Sequence, residues 1–139
     1  MIILSDVYGE ITKCPSVPPE TGGILGIKGN VICTSFFDNT SPQNNSAIYT
    51  PNVVLLNTKI SEWEKNDIKF GGFFHSHPAN QPTLSVDDIE YIKIIFRVMP
   101  TTIKSLFFPI VLPNVKLVSF KAVRQKGTIQ IHEDIIKII

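Results

Sequence analysis

The stretch that constrains this chain most is IKFGGFFHSHP, residues 68–78. An apolar, aromatic run of this length suits a buried strand. Pro78 has no N–H to give to a ladder, so the strand should end close to it. On a strand, residues two apart share a face and sit roughly 6.5–7 Å from one another. His75 and His77 therefore aim their imidazoles at one side. Ser76, between them, points the other way and is expected to fill core or hydrogen-bond locally. The chain has three histidines, and two of them end this strand. The third, His132, lies in an alternating stretch and has the setting of a solvated strand residue.

Around that strand the sequence alternates. Residues 1–14 fit a short strand and then a helix, stopped by CPSVPPETGG with its prolines and glycines. GGILGIKGNVICTSFF has the form of two strands joined at KGN. DNTSPQNNS is a polar run of turn formers, expected as an exposed loop. VVLLNTKISEWEKND places Val54, Leu55, Ile60 and Trp63 at helical spacing. After the histidines, ANQPT is loop, Ser85 stands as an N-cap, and Val86, Ile89, Ile92, Ile95 and Phe96 recur with helical period. SLFFPIVL and VKLVSFKAV follow as two strands joined at PN. GTIQIHEDIIKII closes as a strand followed by a short helix. Helices interleave with strands at the front and strands cluster at the back, which predicts a mixed α/β sheet flanked by helices.

Metal chemistry is one reading of the histidine pair. Neutral imidazole is the commonest metal-ligating side chain. SVDD begins the next helix eight residues after His77, and a short loop could fold its start over the strand end. A carboxylate from Asp87 or Asp88 would then make three protein ligands. Two histidines and one carboxylate, with a fourth position left for water, is the pattern of a catalytic zinc site. Each part also has a plainer reading. An H-x-H pair is often solvated, and Ser85 with Asp88 fits the S-x-x-D capping box. The two readings are compatible, because a capped helix start is a rigid mount for a ligand.

Composition narrows the classes. With 139 residues, 43% of them hydrophobic and 18% charged, one core-forming domain over 1–139 is expected. The net charge of +1 gives no basic footprint for nucleic acid and no polybasic membrane patch. No run approaches the roughly 18–20 apolar residues that cross a bilayer, and MIILSDVYGE lacks the charged start of a signal peptide. Cys14 and Cys33 form no C-x-x-C pair, which excludes a cysteine-rich zinc finger and leaves them as packing residues. A soluble cytoplasmic protein with reduced thiols is expected.

HSHPANQPTLSVDD spells H-x-H-P, six residues, then S-x-x-D, and ETGGILG begins upstream at Glu20. This pair of motifs, in this order, resembles the signature of the JAMM zinc metalloproteases, also called JAB or MPN+ domains. The likeness covers about residues 10–125. It implies a curved mixed sheet flanked by helices, similar to cytidine deaminases. It implies one zinc per chain on His75, His77 and Asp88. Glu20 would be the general base and later the proton donor, and Ser85 would hydrogen-bond the oxyanion. Read by itself, Glu20 is a turn glutamate, no different from Glu10, Glu62, Glu64, Glu90 or Glu133. The implied reaction is hydrolysis of a peptide or isopeptide bond, at the C-terminus of a ubiquitin-like or sulfur-carrier-like β-grasp protein. The length fits a minimal prokaryotic-type member, with DNTSPQNNSAIYTPN as a substrate-facing loop. A metal-free MPN-type scaffold is the alternative. A zinc deaminase ranks last, because the H-x-E and P-C-x-x-C pattern is missing.

Overall fold

A computed structural model describes residues 1–15, 19–39 and 51–139. In chain order the elements are β1 (Ile2–Ile3), α1 (Ser5–Thr12), β2 (Gly22–Lys28), β3 (Val31–Phe37), α2 (Val53–Glu64), β4 (Lys69–Ser76), α3 (Val86–Val98), β5 (Ser105–Phe107), β6 (Ile110–Leu112), β7 (Lys116–Gln125), β8 (Thr128–Asp134) and β9 (Lys137–Ile138). They form one mixed sheet in which β4 is central, antiparallel to β2 and parallel to β5 and β6. β8 pairs with β7 at one margin, and β9 pairs with β1 at the other. Residues 128–138 thus reach both margins and curl the sheet.

Strand alternation sorts the core into layers. Ile3, Val7 and Ile11 pack with Leu25, Ile32, Phe74 and Val111 on the side of α1. On the opposite side, α2 lays Leu56 and Trp63 against Ile24. There too α3 lays Ile92, Ile95 and Phe96 against Leu106, Ile110 and Phe120. Val54 and Val86, included in the helical patterns, are largely exposed.

One irregularity sets the direction of the histidines. Against β2, Leu25 faces Gly72 and Gly26 faces Phe70, so Gly71 is an extra residue in β4. Such a bulge shifts the alternation by one. Phe70 and Phe73 consequently share the α2–α3 side, and His75 and His77 follow on that side. Gly72 has φ +139°, and a Cβ there would lie 1.7 Å from the Phe107 carbonyl oxygen. Only glycine fits that position.

Three sequence expectations change. SLFFPIVL is two strands, β5 and β6, interrupted at Phe108–Pro109 because Pro109 has no N–H to donate. The register is kept, with Phe107 opposite Gly72 and Ile110 opposite His75. The closing helix is instead β9. Lys137 donates to the Met1 carbonyl (2.9 Å) and Ile139 to that of Ile3 (3.0 Å), bonds that a helix there would leave unmade. Asp38, the first residue of the polar run expected to be exposed, is buried and accepts from the Asn52 amide at 2.6 Å. Residues 40–50 of the expected substrate-facing loop (38–52) lie outside the described residues.

Candidate metal centre

Three segments bring the site together. The end of β4 supplies His75, and His77 follows with its amide donated to the Val111 carbonyl at 2.9 Å. The β2 segment supplies Glu20. Gly22 pairs with His75, and the Ser76 amide donates to the Thr21 carbonyl at 2.8 Å. Extending that register by one more residue sets Glu20 opposite His77, on the same face. Gly23 permits the close approach of the strands beside it, since a Cβ there would lie 2.0 Å from the Phe36 carbonyl oxygen. The start of α3 supplies Asp88.

That start is a full capping box. Ser85 Oγ accepts from the Asp88 amide (3.0 Å), and Asp88 Oδ2 accepts from the Ser85 amide (2.8 Å). The same carboxylate faces both histidines. Asp88 Oδ1 is 3.2 Å from His75 Nε2, and Oδ2 is 3.2 Å from His77 Nε2. The plain capping reading and the ligand reading of Asp88 therefore hold together. Asp87 is exposed and turns to the cavity beside the site.

The two Nε2 atoms are 2.9 Å apart. His77 Nδ1 lies 2.9 Å from the Gln81 carbonyl oxygen, which can only accept. That contact puts the proton on Nδ1 and leaves the Nε2 lone pair for a ligand. Burial works against a charged His77. The hydrogen bonds to Asp88 and Gln81 and the charges of Asp88 and Glu20 outweigh burial and raise its pKa. Burial likewise favours a neutral Asp88, but hydrogen bonds from His75 and His77, the charge of His75 and the Ser85 amide hold it well below the usual carboxylate range.

Glu20, His75 and His77 offer ligand atoms within 4.8 Å of one another and could hold a metal ion. Two carboxylates reach the same imidazoles, and Asp88 is the nearer: Glu20 Oε1 is 3.6 Å from His77 Nε2. Ligands bound to zinc at 2.0–2.1 Å with tetrahedral angles lie about 3.3 Å apart. The two imidazole nitrogens, 2.9 Å apart, come within a few tenths of an ångström of that spacing, and Asp88 turns one carboxylate oxygen to each of them, Oδ1 to His75 and Oδ2 to His77, both at 3.2 Å. The residues present fit the ion.

Sequence reasoning missed the Gln81 carbonyl, because a backbone acceptor leaves no mark in the residue types. Phe73, from the aromatic run that suits a buried strand, and Phe108 line a cavity beside the donors. His132 is exposed on β8, away from the centre.

The fold has known counterparts. A solution structure of a protein from Desulfitobacterium hafniense superposes with TM-score 0.66 at 21% identity, covering 100% of this chain and 93% of that one. The crystal structure of a JAB1/MPN domain protein from Archaeoglobus fulgidus gives TM-score 0.52 at 16% identity, with 100% and 99% covered. A solution structure from Salinibacter ruber gives 0.56 at 16%, with 98% and 90% covered. No protein-family model matches the sequence, and no curated protein matches it. The chain has a JAB/MPN-type fold, mixed α/β, with a Glu/His/His group able to take a metal. Among the described residues, no helix is long and apolar enough to cross a membrane.

Proposed function

We propose that this chain is a zinc-dependent metallopeptidase of the JAMM type, one domain over residues 1–139. In this reading it hydrolyses a peptide or isopeptide bond at the C-terminus of a ubiquitin-like or sulfur-carrier-like β-grasp protein. The observation that carries the reading is the convergence of His75 Nε2, His77 Nε2 and the Asp88 carboxylate at 2.9–3.2 Å, with Glu20 3.6 Å from His77. His75, His77 and Asp88 would hold one zinc ion, which would leave the nearby Glu20 for proton transfer. Zinc bound there supplies Lewis acidity and makes water ionise near pH 7.

The protein's own groups do the rest. Glu20 accepts the proton of the attacking water and returns it to the leaving amine. In the cap Ser85 Oγ uses a lone pair, so its hydroxyl hydrogen remains free to donate to the oxyanion. Asp88 is fixed by the Ser85 amide and His77 by Gln81, so the donors keep their directions as the substrate enters. Cys14 and Cys33, both unpaired, suit a reducing compartment such as the cytoplasm.

Glu20→Gln separates binding from chemistry. The variant should keep one zinc per chain by metal analysis, while hydrolysis of β-grasp fusion proteins falls at least about 100-fold. Unchanged turnover in Glu20→Gln would remove Glu20 as the base. A wild-type protein that takes up no zinc would leave the scaffold reading.

A further inference from the structure

Beside the imidazole–carboxylate cluster lies a cavity of about 200 Å³. One end is the cluster itself, since Glu20, His75 and Asp88 line it. The rest is apolar. Ile92 and Phe108 form a floor that is 2% and 3% exposed. Phe73, Leu84 and Tyr91 form the walls, with the Phe73 and Tyr91 rings edge to face at 5.9 Å. β4, α3 and the link between β5 and β6 all contribute, so the hollow is built largely on the sheet and the helix packed against it.

A cavity of roughly 150 Å³ lined by leucine, isoleucine and phenylalanine stays dry and takes up benzene. A glycine-ended tail would leave a hollow of this size unfilled. A matching side chain would remove its apolar surface from water, at about 25 cal/mol per Å². The charged groups sharpen the choice. Asp87 joins Glu20 and Asp88 at the rim, so an acidic side chain is repelled. A lysine reaching the Ile92–Phe108 floor would lose the hydration of its ammonium group.

Resting on the peptidase reading, we infer that this pocket receives a large apolar side chain, of leucine, methionine or phenylalanine size, from the residue adjoining the cleaved bond. The substrate class is then a polypeptide with an apolar residue at that bond. The C–N bond breaks, water gives its hydroxyl to the carbonyl carbon and its proton to the amine, and no further reactant enters.

Binding and cleavage test this separately. With methyl-labelled, metal-free protein, N-acetyl-leucinamide should shift the Leu84 and Ile92 resonances, and N-acetylglycinamide should not. With zinc-loaded protein and peptides varied on each side of the bond, leucine or phenylalanine should exceed glycine by about 10- to 200-fold in kcat/KM on one side. Aspartate and lysine there should fall near glycine. Leu84→Trp, which fills the hollow from a half-buried position, should abolish the leucinamide shifts and the preference while zinc uptake persists. Tyr91→Ala, at a more open position, should weaken both if Leu84→Trp does not fold. Equal shifts with both amides, or a preference that survives Leu84→Trp, would overturn the pocket assignment. Leucinamide binding without cleavage of any peptide would instead overturn the peptidase reading and leave the pocket standing.

Discussion

The two sides of one strand end differ more than any other pair of neighbouring regions in this molecule. On the α1 side, Ser76 is fully buried and its Oγ accepts from the Thr21 amide at 2.9 Å. The Thr21 hydroxyl lies 3.4 Å from that oxygen and reaches the Cys14 sulfur at 3.7 Å. These groups answer one another, and such a closed set holds a strand in register. On the α3 side, one residue to either side of Ser76, two imidazole nitrogens stand 2.9 Å apart before two carboxylates. Their ligand atoms gather around one region, with Asp88 held there by the Ser85 amide. Polar groups satisfied by each other mark structure, and polar groups aimed at a common focus mark a site.

The glycine bulge decides which residues fall on which side, so its loss should have the largest effect. Gly72→Val places a side chain on the Phe107 carbonyl at a φ of +139°. Strain and overlap together should cost at least about 4 kcal/mol. Loss of soluble protein or of a cooperative thermal transition is the expected result. A well-folded Gly72→Val that still binds zinc would show that the bulge does not set the phase of the histidines.

Next come the converging groups. His77→Ala and Asp88→Asn should each weaken zinc binding, by at least about 100-fold for His77→Ala, in competition with a chromogenic chelator. Asp88→Asn leaves the capping geometry in place, since the amide oxygen still accepts from Ser85, so helix content should persist. Zinc affinity untouched in Asp88→Asn would hand the third ligand position to Glu20, which the Glu20–His75–His77 grouping also permits.

The closed side should answer in the opposite way. Ser76→Ala removes the acceptor for the Thr21 amide and should cost about 1–2 kcal/mol in denaturant unfolding. Zinc affinity should stay within about twofold, because His75 and His77 keep their own backbone bonds to Pro109 and Val111. A Ser76→Ala variant that loses zinc as readily as His77→Ala would erase the distinction between the two sides.

Much of this arrangement was legible in the sequence where the signals are local. The aromatic run into HSHP fixed β4, and Ser85 with Asp88 fixed the start of α3, because a strand period and a cap are written in neighbouring residues. Glu20 was not legible from its surroundings. It reaches His77 only through the β2–β4 register, a pairing across more than fifty residues, and the family resemblance alone singled it out. The closing strand failed for a related reason. IIKII carries no period that separates strand from helix, and its partner, β1, lies at the other end of the chain. The cavity was hidden because Phe73 and Phe108 look like core, and only tertiary placement leaves a hollow between them.

The smallest effect concerns the two thiols, which the sequence could not tell apart. Cys14 lies on the closed side, 1% exposed. Burial pushes its pKa up to about 11, with the Thr21 hydroxyl pulling weakly the other way. The thiolate is the reacting species, so Cys14 should be nearly inert at pH 8. Cys33 is half-buried on β3, its thiol 3.7 Å from the Gly26 carbonyl oxygen. Iodoacetamide at pH 8, followed by peptide mass mapping, should label Cys33 at least about tenfold faster than Cys14 in the native protein. In denaturant the two rates should converge. Equal labelling under native conditions would mean that the α1 side opens readily, and Ser76 and Thr21 would then no longer count as a sealed set.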